Sequence, residues 1–376
     1  MKNQDVSAGA QPWVLQICHG YDGPFLDCAR QYAVLFKGTS YKVCTVYLTG
    51  APSEEVARGS ASDEVLFLEH DNRDMRGLKL NIIRRLQRIA AGRNFRLCIA
   101  HRFKPIYVAL LATRLPVIGV LHAFGVYKRA MRRWFISRFR SRLLLLGVSN
   151  AVRDEIRAHL PAWDSERIQT LYNRIDIEAV QAEQVSRQAA REKLGLSQDA
   201  WVVGNVGRLH PDKDQATLIR GFAEALPRLP AGSLLAIMGS GRLEASLRKL
   251  AEDLGVAGQV RFLGQVPHGR RYFKAFDVFA LTSDHEPFGM VLLEAMAAGV
   301  PVICSDVGGG REVVEGVGRL FPLGDPAALA AALVEESAGR SGAASELRGQ
   351  MQQFSDEVAQ EAFWRLPFLM RHLGRV

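Results

Sequence analysis

Cysteine is scarce, five in 376 residues, and its placement gives neither a disulfide nor a zinc framework. Cys18, Cys28, Cys44, Cys98 and Cys304 are odd in number, stand in no metal-ligand pairs, and mostly sit in apolar runs. They are expected to be reduced, buried small hydrophobes of a cytosolic protein. No apolar run reaches the roughly 18 residues that a transmembrane helix requires. The first residues, Met1 to Pro12, are polar and hold no apolar signal core, which argues against secretion. No internal repeat or low-complexity segment stands out apart from the Ala/Ser/Gly-rich stretch 328–345. Nothing resembles a nucleic-acid stacking or groove-reading module.

What is present is globular composition, 48% hydrophobic and 23% charged, in a chain long enough for two domains of ordinary size. Charge is unevenly shared. Residues 1–176 carry 27 Lys and Arg against 15 Asp and Glu, a net +12, while the remainder carries 21 against 24, a net −3. Such an asymmetry predicts an anionic partner for the first half.

Short apolar runs at Val14–Cys18, Lys42–Leu48, Val65–Leu68, Leu97–Ala100, Val117–Leu121 and Leu143–Val148 predict buried parallel strands. Helical stretches such as Cys28–Phe36, Leu78–Ala91 and Ile106–Arg114 lie between them. A second series follows at Trp201–Val206, Leu234–Met238, Val260–Leu263, Val278–Leu281 and Val300–Ser305. Two doubly wound, Rossmann-like α/β domains are expected, 1–178 and 179–355. A last helix, 356–376, bears Phe363, Trp364, Phe368 and Leu369 and is expected to pack back on the first domain.

The chemistry-bearing segments follow the strands of the second half. Glu286-Pro-Phe-Gly-Met-Val-Leu-Leu-Glu294 places one carboxylate in a loop and the other two turns into a helix, so both can face one crevice. Gly289 and the amides of Met290 and Val291 open that helix and offer N–H groups and positive dipole to an anion. Arg208 and Lys213 lie after strand Trp201–Val206, at the strand end where open α/β sheets bind ligands. Two cations there suit a diphosphate. Met238-Gly-Ser-Gly241 reads equally as a ligand-approaching loop or as a plain turn, Phe262-Leu-Gly-Gln-Val-Pro267 as a main-chain wall for a base, and Gly308-Gly-Gly310 as a flexible segment on the same edge. Together they put four loops around one crevice.

Together, Gly207-Arg-Leu…Lys213, Phe262-Leu-Gly264, Ala275-Phe-Asp-Val-Phe279, Glu286-Pro-Phe-Gly…Glu294-Ala-Met-Ala-Ala-Gly-Val-Pro-Val-Ile303 and Ser305-Asp-Val-Gly-Gly309 resemble the retaining glycosyltransferases of family 4. That group has the GT-B fold, two Rossmann-like domains facing a central cleft, and includes many bacterial lipopolysaccharide-core, capsule and mannosyl transferases. The resemblance is dense over about 200–320. The first half joins it through its layout, His122 and Val148-Ser-Asn150.

The resemblance implies roles. Glu294 would bind the nucleotide ribose, and Glu286, beside Phe288 and Gly289, the hydroxyls of the donor sugar. Arg208 and Lys213 would grip the diphosphate with the amides around Gly289–Val291, and Gly264 to Val266 would meet the base through their backbone. His122 would face the donor sugar near the reacting bond. Gly20, in His19-Gly-Tyr-Asp-Gly-Pro24, would let backbone approach the diphosphate, with Asp22 near the acceptor. This loop departs from the family's small glycine pair, and Asp214, Arg174 and Gly310-Arg-Glu312 replace more usual residues. Arg174 is read as a local acceptor contact. No cofactor or metal is expected, because two cations and a helix terminus already serve the diphosphate and no Asp-x-Asp metal motif is read near these loops.

Residues 127–143 carry Lys128, Arg129, Arg132, Arg133, Arg138, Arg140 and Arg142 against an apolar stripe of Tyr127, Ala130, Met131, Trp134, Phe135, Phe139 and Leu143. The spacing predicts an amphipathic helix. Lys79, Arg84, Arg85, Arg88 and Arg93 mark a second basic helix. Such faces suit an anionic membrane or a phosphorylated glycolipid, or are simply solvated charge above core residues.

The expectation is a metal-independent, retaining hexosyltransferase on the cytoplasmic membrane face. It would move a sugar from a nucleotide donor, UDP-glucose first, to a lipid-linked or lipopolysaccharide-core saccharide. The alternatives are a nucleotide-sugar epimerase of the same fold and a non-catalytic glycan- or membrane-binding protein.

Overall fold

The computed structural model describes residues 11–71, 73–339 and 344–374. Met1 to Ala10 and positions 340–343 of the Ala/Ser/Gly-rich stretch lie outside the described residues. The chain forms two compact units. The first runs to Asn173 and takes up the chain again from Asp356; the second is Arg174–Ser355.

The first unit holds β1 (Trp13–Cys18), β2 (Lys42–Tyr47), β3 (Glu64–Phe67), β4 (Phe95–His101), β5 (Val117–Leu121), β6 (Leu143–Gly147) and β7 (Ile168–Thr170). The order is β3-β2-β1-β4-β5-β6-β7, all parallel. Central strands such as Leu143-Leu-Leu-Leu-Gly147 are buried along their length, because helices cover both faces of a parallel sheet. The edge strand β7, Ile168-Gln-Thr170, escapes sequence reasoning because three residues carry no readable period.

The amphipathic helix expected over 127–143 is shorter, Ala130–Ser137, followed by a 3-10 turn at Arg140–Arg142 and then β6. Its stripe splits. Tyr127 and Leu143 are buried, as is Ile136 outside the stripe, and Phe135 meets Tyr107 at 4.8 Å between ring centres. Met131 and Trp134 instead stand 73% and 57% exposed.

The segment after 356 is two helices, Asp356–Trp364 and Pro367–Leu373, rather than one. Leu366 is extended ahead of Pro367, as the proline ring demands. Trp364 Nε1 donates to Leu35 O (2.9 Å), Gln360 Nε2 donates to Leu35 O (3.1 Å) and Lys37 O (2.9 Å), and Arg30 pairs with Asp356 at 2.8 Å. Phe36 packs edge-on against Phe363 and Trp364, at 5.5 and 5.4 Å.

The second unit repeats the plan with β8 (Val202–Val206), β9 (Leu234–Met238), β10 (Val260–Gly264), β11 (Val278–Leu281), β12 (Val302–Ser305) and β13 (Arg319–Phe321). The order is β10-β9-β8-β11-β12-β13, again parallel. The short edge strand β13 is the second one that sequence reasoning missed. In each sheet the winding reverses once, between β1 and β4 and between β8 and β11, and ligands of such sheets bind at the carboxyl ends of those strands.

Candidate functional site

In the second unit, the loops after β8 and β11 meet at the reversal point. Thr282 Oγ1 donates to the carbonyls of Lys213 and Asp214, each at 3.0 Å, tying the two loops together. Lys213 Nζ then donates to Glu286 Oε2 at 2.7 Å, and Ser283 Oγ donates to the same oxygen at 3.3 Å. Glu286 is 7% exposed, so its carboxylate is fixed by these partners and by the backbone bond from Gly309 N to its carbonyl (2.8 Å). Arg208 lies at the rim with its side chain 72% exposed, 3.5 Å from Asp212.

The helix Met290–Ala297 starts beside Glu286. Gly289, at φ 95° and ψ 53°, adopts the left-handed turn that brings the chain into it. No side chain caps this helix and no acid occupies its first turn, so the amides of Met290 and Val291 carry the positive end of the dipole. Glu294 sits half-buried on the next turn. Phe288 points inward and packs edge-on to Phe354 at 5.4 Å, a core position rather than a ligand-facing one.

Several glycines serve the protein's own packing. A Cβ on Gly239 would stand 2.0 Å from Gly207 O, one on Gly241 2.3 Å from Leu209 O, and one on Gly309 2.2 Å from Pro287 O. Gly308-Gly-Gly310 is therefore no flexible segment; it opens the helix Gly308–Val314 against the Glu286 loop. Gly264 O accepts from Gly239 N at 2.8 Å, and Val266 is half-buried. Asp212-Lys-Asp214 has the spacing of a paired-carboxylate metal motif, which corrects the expectation that none stands near these loops. Asp214 caps the helix Gln215–Ala225 through Thr217 N (3.3 Å), and Asp212 pairs with His210 and Arg208.

In the first unit, His122 follows β5 and meets His101 at the end of β4, Nδ1 of His101 to Nε2 of His122 being 3.1 Å. The rings stack at 5.4 Å. Tyr32 stands edge-on to His101 at 4.9 Å, and Cys28 Sγ is 3.7 Å from His122 Nδ1. Burial, helped by the Arg102 guanidinium, pushes the His122 pKa down to about 3; burial and His122 push His101 well below the usual range. Both imidazoles are neutral at pH 7. His101 was not anticipated. Its one signal is a histidine closing the apolar run Leu97-Cys-Ile-Ala-His101.

A pocket of about 270 Å3 opens beside His122, lined also by His19, Phe25, Arg102, Lys104 and Arg132. Gly20 is buried, and its missing Cβ would stand 2.8 Å from Thr49 Oγ1. Asp22, Lys128 and Arg129 are exposed. Arg132 Nη1 donates to Val126 O (3.0 Å), and Arg133 Nη1 to the carbonyls of Tyr127 and Lys128 (2.8 Å each), so both guanidiniums brace the turn before their helix. Arg174, expected at an acceptor, is fully buried. All five thiols are buried, and no disulfide joins them among the described residues.

The sequence model of the family described as "Glycosyl transferases group 1" matches residues 186–347, and that of "Glycosyltransferase Family 4" matches 39–179. The chain belongs to the GT-B glycosyltransferases of family 4. Among its relatives is the "Lipopolysaccharide core biosynthesis glycosyltransferase LpsE" of Rhizobium meliloti, 46% identical over 113 residues, which are 30% of this chain and 32% of that one. Another is the "D-inositol 3-phosphate glycosyltransferase" of Rhodococcus opacus, 37% identical over 203 residues, 49% of this chain and 46% of the relative. The matches span less than half the length of these relatives. The glycosyltransferase fold is seen in the Anabaena Alr3699/HepE structure with UDP and glucose, at TM-score 0.73, 22% identity, and 94% and 98% coverage of the two chains.

Proposed function

We propose that this glycosyltransferase is a retaining, metal-independent hexosyltransferase that uses a nucleotide sugar, UDP-glucose being the first donor to test, and an anionic lipid-linked or lipopolysaccharide-core acceptor. The observation that carries the reading is the Lys213–Glu286 pair, fixed at 2.7 Å at a sheet reversal beside an uncapped helix start and Glu294. A carboxylate with one oxygen held by an ammonium still accepts from sugar hydroxyls, while the ammonium, Arg208 and the helix amides draw charge from a departing diphosphate.

Lys213, Arg208 and the helix amides supply the charge that a metal would otherwise supply. No enzymic nucleophile is assigned. Retention then comes from attack by an acceptor hydroxyl on the face that the diphosphate leaves, the leaving phosphate taking the proton. His122, held neutral, acts as a hydrogen-bonding group and affects turnover rather than nucleotide affinity. The donor reading agrees with the HepE structure's bound UDP, and the acceptor reading with the LpsE name and with the +12 of residues 1–176.

The test is nucleoside diphosphate release from UDP-, GDP- and ADP-sugars, with and without truncated lipopolysaccharide and with EDTA present. One donor whose release rises with one acceptor and ignores EDTA is expected. Glu294→Ala should weaken UDP binding about tenfold or more, as loss of a charged hydrogen-bond acceptor does. Donor turnover without any acceptor requirement would favour an epimerase, and silence with every donor a binding protein.

A further inference from the structure

We propose that the pocket beside His122 binds an oxyanion, phosphate or carboxylate, carried by the acceptor saccharide. The assignment rests on the glycosyltransferase reading above and adds the place where the acceptor's anionic group is held and the residues that select it.

Three strand ends of the first unit build the pocket. His19 follows β1, Arg102 to Pro105 follow β4, Leu121 ends β5 with His122 and Ala123 after it, and Arg132 closes one side. This is the reversal point of the first sheet, the counterpart of the one that holds Lys213 and Glu286 in the second. Arg102, Lys104 and Arg132 line it, and no acidic side chain does among the described residues. The excess is written into the chain: between Asp74 and Asp154 there are eighteen Lys and Arg and no carboxylate.

The cations are held without neutralisation. The Arg102 guanidinium lies over the Phe25 ring at 4.6 Å, and that of Arg132 over Phe103 at 4.6 Å. Aromatic faces hold both groups, Arg132 Nη1 also donating to Val126 O at 3.0 Å, and the remaining N–H edges serve a ligand. Arg102 itself has φ 73° and ψ 164°, a region that non-glycine residues occupy only at a cost, and it starts the helix Phe103–Ala112. That helix has no side-chain cap and no acid in its first turn, so its positive end adds to the cationic wall. His19 registers the field. Burial first, then Arg102 and Lys104, lower its pKa, with Asp22 acting in the opposite sense. Concentrated positive charge with fixed donors and an apolar floor of Phe25, Pro105 and Val126 suits one anionic group on a sugar ring.

Donor phosphates are the other source of the same chemistry, and the second unit already supplies cations for them. Calorimetric titration of the full chain with inorganic phosphate, glucose 6-phosphate, glucose and UDP separates the sources. Expected is binding of phosphate and glucose 6-phosphate but not of glucose. In Lys104→Gln and Arg102→Gln the glucose 6-phosphate affinity should fall about tenfold, with UDP affinity unchanged and Lys104→Arg behaving as the parent. Lys104 is exposed, so its variant keeps the test valid should Arg102→Gln fail to fold. Absence of glucose 6-phosphate binding in the parent, or equal binding in parent and variants, overturns the site. A parallel loss of UDP affinity overturns the acceptor assignment in favour of the donor's phosphates. None of these readouts requires transfer, so failure here is distinct from failure in the diphosphate-release assay.

Discussion

His101 and His122 share a 3.1 Å hydrogen bond while burial keeps both imidazoles from taking a second proton at ordinary pH. An unfolded histidine protonates near 6.5, whereas folded His122 does so at about 3. Across that window the unfolded chain binds more protons, so the pair's stability is complete above about 6.5 and is lost as pH falls toward 3. The thermal midpoint of the protein should therefore drop on acidification from pH 7 to pH 4. His122→Gln should flatten part of that slope, and an identical slope in the variant would remove burial of this ring as its cause. Sequence reasoning singled out His122 because it follows a strand and fits the family pattern. It missed His101 and the Lys213–Glu286 bond because both pairings join residues far apart in the chain, which only the sheet order brings together.

At the scale of elements, the strands were legible because long buried runs have no other interpretation, while the two three-residue edge strands were not. The basic helix shows the opposite failure. Periodicity placed Met131 and Trp134 in the same stripe as Ile136's neighbours, but the helix is only Ala130–Ser137 and leaves both side chains in solvent. Leu78 and Leu80, which flank Lys79 at the start of the other basic helix, are 67% and 53% exposed. Lys79 Nζ lies 5.1 Å from the Tyr107 ring centre, and Tyr107 packs on Phe135 of the helix Ala130–Ser137, so the two helices belong to one surface. Large exposed apolar side chains among Arg129, Arg138 and Lys79 match an interface of anionic headgroups and acyl chains. Co-sedimentation with phosphatidylglycerol vesicles is expected for the full chain. It should fall about tenfold in Met131→Ser/Trp134→Ser, from the apolar area withdrawn from lipid. Undiminished sedimentation of this variant would assign the helix to another role. The glycine segments were ambiguous for a related reason: a missing side chain reads the same whether ligand or neighbouring backbone fills the space, and at Gly239, Gly241 and Gly309 it is backbone.

For the molecule as a whole, the second unit is one continuous stretch, Arg174–Ser355, whereas the first needs residues from both sides of it. The fragment 174–355 should therefore melt cooperatively and keep UDP affinity within a few-fold of the full chain. The fragment 11–173 should be soluble only when a peptide of residues 356–374 is supplied. Without that peptide it loses the three hydrogen bonds from Gln360 and Trp364, worth about 3 kcal/mol, and exposes the Phe36 ring. A well-folded 11–173 fragment would contradict the anchoring role of the last helices. The two-unit plan was legible in the alternation of strands and helices. The break at Leu366-Pro367 was visible as a proline but was not given its weight.

The split of the first unit also sets an order of events on the ribosome. Its seven strands emerge before the second unit, yet the carbonyls of Leu35 and Lys37 wait for partners encoded more than 320 residues later. All of the second unit is translated in the interval and can fold as it appears. The first unit therefore stays unsealed until residues 356–374 have been made. A nonsense mutation or stalled ribosome just before residue 356 would release a chain whose second unit is complete and whose first is not.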